Sequence, residues 1–277
     1  MNFLIVPQLN FGVRSFDLRI GETAAGAFIG VHDKQAVVDA SASEYTLAEI
    51  LDDFQTFTTT AGNDGEIVVL GFHRFVPQTG VTTFNQAGAQ AILTGHNVVT
   101  TDRLIPEASS SMTYSQLIAA STTQRLICAW RDNSKPTQCW TGVAQQFAGD
   151  TVFNLDNMLN FFTSTFTAPA TALRAAQAAI NVLDAGPVWF EYELERYFST
   201  AAIFPNINII HSDFIDSSYM VETAIALNLA KVTGAQAGSG AVHLAAGIVA
   251  SVGLSLLLLF WSIVHIFNKI PITSHHL

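Results

Sequence analysis

From Val232 to Asn268 the chain carries no Asp, Glu, Lys or Arg, and residues 244–267 read LAAGIVASVGLSLLLLFWSIVHIF. That run exceeds the roughly 20 apolar residues a helix needs to cross a bilayer. Lys231 and Lys269 bracket it, and Trp261 falls in its last two turns, where an aromatic ring settles at the membrane interface. The run therefore predicts a membrane, single-pass anchor. The alternative is a glycosylphosphatidylinositol-anchored cell-surface protein, with the small residues Ala237, Gly238, Ser239 and Gly240 preceding the apolar tail. The polar end NKIPITSHHL favours the permanent helix, because such signals usually finish apolar. One lysine on each flank gives the positive-inside rule little to choose between. Residues 3–6 are too short for the apolar core of a secretory signal.

The remainder has the balance of a folded domain. Hydrophobic residues make up 49% and charged residues 12%, with a net charge of −10. Disorder requires the opposite, low hydrophobicity with high charge. Binding to nucleic acid requires a basic stripe that this chain lacks. The two cysteines, Cys128 and Cys139, are too few for a disulfide scaffold; they either bridge in an oxidising compartment or are unrelated thiols. The organisation that follows is a domain over 1–232, a small-residue linker over 233–243, a transmembrane helix over 244–267 and a short polar tail over 268–277.

Within the domain, short apolar runs alternate with amphipathic segments. Strands are predicted at 15–20, 27–32, 66–75, 125–130 and 206–214. Helices are predicted at 46–58, 83–93, 114–120, 155–165, 172–182, 190–198 and 219–231. This alternation predicts an α/β fold with a largely parallel sheet. At this length a TIM-type (β/α) barrel comes first and an open doubly wound sheet second.

The polar residues inside those strands are informative because side chains alternate across a sheet. Phe16, Leu18 and Ile20 share one face, and Ser15, Asp17 and Arg19 the other. A barrel strand packs its apolar face outward on helices, so Asp17 and Arg19 are predicted to point inward near the catalytic end. Alternation along 27–32 predicts the same for His32. Over 66–75 it sets Val69, Gly71 and His73 against Leu70, Phe72 and Arg74, with Arg74 facing outward. The segment NINIIHSDF places Ile209, His211 and Asp213 together; Asp213 there either orients an imidazole or caps the following helix. An imidazole can exchange a proton near neutral pH, and a guanidinium can hold two phosphate oxygens, so this set suits phosphodiester cleavage.

The stretch QLNFGVRSFDLRIG (8–21) followed by FIGVH ending at His32 resembles the X domain of phosphatidylinositol-specific phospholipases C. The pattern there is Gln-Leu-x-x-Gly-Val-Arg-x-Phe-Asp-Leu-Arg and then a strand closing on His. TLAEILDDFQTF (46–57), EIVVLGFHRF (66–75) and NINIIHSDFIDSSYMVETAIALNLA (206–230) continue it. The resemblance implies a distorted TIM-type barrel that cleaves an inositol phospholipid or related phosphodiester lipid, the inositol 2-hydroxyl attacking phosphorus. On the matching positions Arg19 would hold the phosphate where relatives place calcium, so no cofactor or metal is expected. His32 would be the general acid, Asp17 its support, and Asp213 the residue orienting the base. His73, Arg131 (directly after the strand 125–130) and His211 are the candidate substrate-binding residues.

One family element is missing from this sequence: the first strand, with its Gly-Thr-His-like motif carrying the general-base histidine. The expectation is thus a barrel without its first strand, with residues 1–7 covering part of the gap. An alternative is a catalytically inactive, membrane-anchored protein that binds lipid or inositol phosphate. A distant alternative is a glycerophosphodiester phosphodiesterase, whose Glu-x-Asp metal pair is replaced here by Asp17-x-Arg19.

Overall fold

The computed structural model describes residues 5–32, 35–38, 43–63, 65–100, 102–132, 134–146, 155–167, 173–178 and 209–212. The apolar run 244–267, Asp213 and the helices expected at 190–198 and 219–231 lie outside them. Among the described residues, no helix is long and apolar enough to cross a membrane.

The chain opens with α1 (Ile5–Asn10), and Pro7 sits in its first turn, where a missing N–H costs nothing. The helix stops at Gly12, whose φ of 101° is left-handed; Gly12 N–H donates to Leu9 O and Val13 N–H to Gln8 O. Arg14 then locks the turn. Its guanidinium donates to Leu9 O and Val13 O, pairs with Glu66 at 2.9 Å and lies over the Phe57 ring. The Gly-Val-Arg of the opening motif is therefore a device that aims the next strand. Of residues 1–7, expected to cover part of a gap in the sheet, 1–4 lie outside the described residues and 5–7 begin a helix that buries Ile5 and Leu9 beside the next helix of the core.

The strand β1 (Ser15–Glu22) turns back through a tight hairpin into β2 (Phe28–His32), followed by the short β3 (Gln35–Ala36). Then come α2 (Leu47–Thr59), β4 (Val68–Pro77), α3 (Gln86–Gly95), α4 (Tyr114–Ala120), β5 (Leu126–Trp130) and β6 (Trp140–Thr141). These strands form one six-stranded sheet in the order β3-β2-β1-β4-β5-β6. Strands β1, β4, β5 and β6 run parallel, while β2 and β3 are antiparallel additions at one edge. The sheet is thus mixed rather than largely parallel, because the few residues joining β1 to β2 allow only a hairpin.

Both faces of this sheet are covered. On one, Phe16, Leu18 and Ile20 pack with Leu47, Ile50, Leu51 and Phe54 of α2, and Phe16 meets Phe54 edge-on at 5.0 Å. A Thr46/Glu49 capping box starts α2 and fixes which of its faces turns inward. On the other face, Val69, Ile105, Ile127, Ala129, Trp140 and Val143 form a second cluster. Trp140 Nε1–H donates to Ile105 O at 2.7 Å, which satisfies the one polar atom of that buried ring.

A second, three-stranded parallel sheet contains β7 (Ala144–Gln146), β8 (Arg174–Ala178) and β9 (Ile209–Ser212). The helix α5 (Leu155–Thr165) connects β7 to β8 in a crossover unit, and β9 comes within 8 Å, Cα to Cα, of β1. The helix expected over 172–182 is therefore corrected: its centre is β8. Alanine-rich sequence favours a helix only weakly, and two parallel neighbours that take up the backbone N–H and C=O groups override that preference. The described strands do not form a closed ring, so the expected barrel is not established by them.

Cys128 and Cys139 are both fully buried and joined by a disulfide, which ties β5 to the residue before β6. They are 11 residues apart, and closing a loop of that size restricts the unfolded chain by about 3 kcal/mol. A Cys128→Ala/Cys139→Ala double variant is expected to lose about that much, read as a lower urea midpoint with a steeper slope, because the unlinked unfolded chain exposes more surface.

Candidate active site

The site is built by register. Asp17 pairs with Gly71, and Gly71 with Ala129; one step on, Leu18 pairs with Phe72, and Phe72 with Trp130. At the next level the pairing slips: Leu18 pairs with Phe72, but Arg19 pairs with Arg74. His73 is the extra residue of a β-bulge in β4, an irregularity rare between parallel strands. Before the bulge, His73 shares the face of Gly71 and Asp17. After it, Arg74 shares the face of Arg19. Two consecutive residues of β4 thus turn the same way, and the alternation that put Arg74 outward is corrected. Phe75 swings to the helix-covered face, where its ring lies 4.5 Å from Trp130 and 5.3 Å from Phe84.

Side chains from three parallel strands meet at this level. Asp17 Oδ2 accepts from Arg19 Nη2 at 3.2 Å, and Asp17 Oδ1 lies 2.9 Å from His73 Nδ1. Arg131, the residue after β5, bonds His73 Nε2 through Nη1. A guanidinium can only donate, so Nε2 is the acceptor and Nδ1 carries the hydrogen given to Asp17. Asp17, Arg19 and His73 keep 17–19% of their side-chain surface exposed, and Arg131 is open to solvent. The cluster lies midway along β1 and β4, level with the carboxyl end of β5. Arg74 is exposed beside it.

Small residues make this convergence possible. A Cβ on Gly71 would lie 2.8 Å from Phe16 O, so only glycine lets β4 approach β1 this closely beneath the cluster. A Cβ on Gly142 would fall 2.5 Å from Arg131 Cα. The backbone of Arg131 is further held by its N–H on Phe72 O at 3.0 Å. Beyond it, Asp132 accepts from Gln86 of α3 and from Ser134 N–H and Oγ–H, and the two Ser134 bonds hold its carboxyl below the usual range. Glu107 accepts from Thr141 N–H, Thr141 Oγ–H and Lys135 Nζ, and Lys135 also donates to Cys139 O. With the disulfide, these contacts make the 131–141 segment a rigid mount for one exposed arginine.

His32 lies differently from expectation. Ile20 pairs with Gly30 and Glu22 with Phe28, so Phe28 and Gly30 belong to the helix-covered face. Continued alternation along β2 places His32 on that face, at its exposed end, opposite Asp17. The expectation that Ile29 and Val31 face the helices is corrected by the hairpin register, which sets Phe28 and Gly30 there and His32 with them. Among the described residues, no hydrogen bond joins His32 to Asp17, Arg19 or His73. His211 belongs to β9, of which only the backbone is described. Of the expected site residues, then, Asp17, Arg19, His73 and Arg131 are brought together. Arg74 was missed, although the apolar Phe72 and Phe75, three apart in a strand, are the mark of a phase shift.

Neither a protein-family model nor a curated protein sequence matches this chain. Among the described residues, no three or more His, Cys, Asp and Glu side chains group as they would around a metal ion.

The Glu107 carboxyl is held at about 2, first by the Thr141 N–H and then by Lys135, against an ordinary value of 4.5. A carboxyl depressed on folding contributes stability above its unfolded value and loses it as pH falls toward its folded one. The urea midpoint is therefore expected to fall between pH 4.5 and pH 2, and Glu107→Gln should flatten that part of the curve. Equal slopes for the two proteins would remove Glu107 from the account.

Proposed function

We propose that the chain is a metal-independent phosphoric diester hydrolase of the phosphatidylinositol phospholipase C type, held at a membrane by its C-terminal apolar helix. The observation that carries this reading is the Arg19–Asp17–His73–Arg131 cluster, drawn from β1, β4 and the end of β5. Guanidinium groups from β1 and from the end of β5 flank one imidazole, and a phosphodiester needs such a setting: fixed positive charge on its non-bridging oxygens beside a group able to move a proton. Asp17 holds the Arg19 guanidinium by a hydrogen bond, and Arg19 takes the place that the resemblance gives to calcium in metal-dependent relatives. A TIM-type barrel is part of the same proposal. The covered inner face of the larger sheet and the approach of β9 to β1 support it.

The reaction is cleavage of an inositol phospholipid, with Arg19 and Arg131 on the phosphate and the headgroup's 2-hydroxyl attacking phosphorus. His32, exposed at the end of β2, is the proton donor implied by the resemblance, and Asp213 the residue orienting a base. The disulfide suits an extracytoplasmic domain, because disulfides persist in oxidising compartments. A second reading, a membrane-anchored binder of inositol lipid or inositol phosphate without catalysis, is favoured by one observation: the register sets His32 on the face opposite Asp17.

Purified full-length chain with phosphatidylinositol vesicles separates the two. The hydrolase should release cyclic inositol phosphate at a rate unaffected by EDTA. Arg19→Ala should lower turnover by at least 10²-fold, the scale of losing one preorganised charge contact to the transition state. Vesicle binding without released phosphate would select the binding protein. Loss of activity on chelation would reject the metal-independent mechanism.

A further inference from the structure

We propose that His73 is the proton-accepting residue of this site, and that Arg131 covers its reactive nitrogen until an anionic phosphate draws the arginine away. The proposal rests on the phosphodiesterase reading and names a base for it.

Three observations carry it. First, Asp17 Oδ1 lies 2.9 Å from His73 Nδ1. A carboxylate on Nδ1–H holds an imidazole in the tautomer whose Nε2 lone pair is available, and it stabilises the imidazolium formed when that lone pair takes a proton. Second, alternation in β4 sets His73 on the face of Gly71 and Asp17, and the bulge keeps Arg74 on that face as well, beside Arg19. Without the slip Arg74 would turn to the other face and the imidazole would lose that neighbouring guanidinium. Third, Nε2 faces a mobile group: Arg131 donates to it through Nη1 from an exposed side chain, on a backbone that Phe72 O, Gly142 and the disulfide hold still. A guanidinium bonds a phosphate oxygen more strongly than a neutral imidazole nitrogen, because the acceptor is charged. The ligand that needs the base is thus the ligand that uncovers it.

The step balances. The headgroup hydroxyl oxygen forms a bond to phosphorus as its proton passes to His73 Nε2. The bond from phosphorus to the lipid oxygen breaks, and that oxygen takes a proton from water. The imidazolium returns its proton to solvent, restoring the starting state with no net proton gained or lost. The charged groups facing His73 are Asp17 and Arg19 from β1, Arg131 from the end of β5, and Arg74 on its own strand.

The test uses the full-length chain with histidine-selective ¹⁵N labelling and phosphatidylinositol vesicles. In the resting wild type, neutral His73 should be protonated on Nδ1, and Asp17→Asn should shift it toward Nε2–H. A wild-type His73 protonated on Nε2 overturns the proposal without reference to activity. His73→Gln should lower kcat by about 10²–10⁴-fold, the usual worth of a general base. It should also remove the acidic limb of the pH–rate profile while KM stays within a few-fold. Arg131→Ala should instead act mainly through KM, by about tenfold or more, as expected for one charge-assisted phosphate contact. If the wild type cleaves lipid and His73→Gln keeps its rate and acidic limb, the base lies elsewhere and the phosphodiesterase reading survives. If the wild type binds vesicles and cleaves nothing, both fall.

Discussion

The Asp17 carboxylate is the point on which the site turns. It accepts from Arg19 on one oxygen and faces His73 Nδ1 with the other, so one anion fixes two groups from adjacent strands. A carboxylate four-fifths removed from solvent is costly unless its lone pairs are met. Here they are met by the two residues whose orientation the site requires. Electrostatic satisfaction and positioning are the same contacts, and the half-buried setting makes them stronger than they would be in open water.

Those contacts require that β1 and β4 lie unusually close and slightly out of step. Gly71 allows the first and the bulge at His73 provides the second. Bulges concentrate where a strand must re-aim a side chain, and this one re-aims two. It also returns Phe75 to the aromatic group formed with Trp130 and Phe84, so apolar packing behind the sheet holds the irregular register in place. The core and the site are thereby coupled: the ring contacts on one face keep the imidazole where it is on the other.

Arg131 shows a complementary arrangement, an exposed side chain on a fixed backbone. The Cys128–Cys139 bridge, the Glu107 contacts to Thr141 and Lys135, and the close packing of Gly142 restrain the segment around it. Ordering a backbone in advance lowers the entropy lost when a ligand is bound. Leaving the guanidinium exposed lets it exchange one acceptor for another. In a chain of net charge −10, the gathering of Arg19, Arg74 and Arg131 at one end of the sheet concentrates positive potential where an anion would enter.

Much of this was legible in the residues alone. Alternation in SFDLRI separates the apolar face of β1 from Asp17 and Arg19, because a strand with one helix-covered face must repeat every second residue. The helical spacing of Leu47, Ile50, Leu51 and Phe54 likewise marks the face of α2 that packs on it. Three features came only from tertiary structure. The hairpin that reverses β2, and with it the facing of His32, depends on which strand β1 finds as a neighbour. β8 is a strand because parallel partners on both sides satisfy a backbone whose alanines alone lean toward a helix. Arg74 joins the imidazole's face, and Phe75 the core, through a one-residue slip between β1 and β4, and register is a relation between two segments far apart in sequence, which local patterning does not encode.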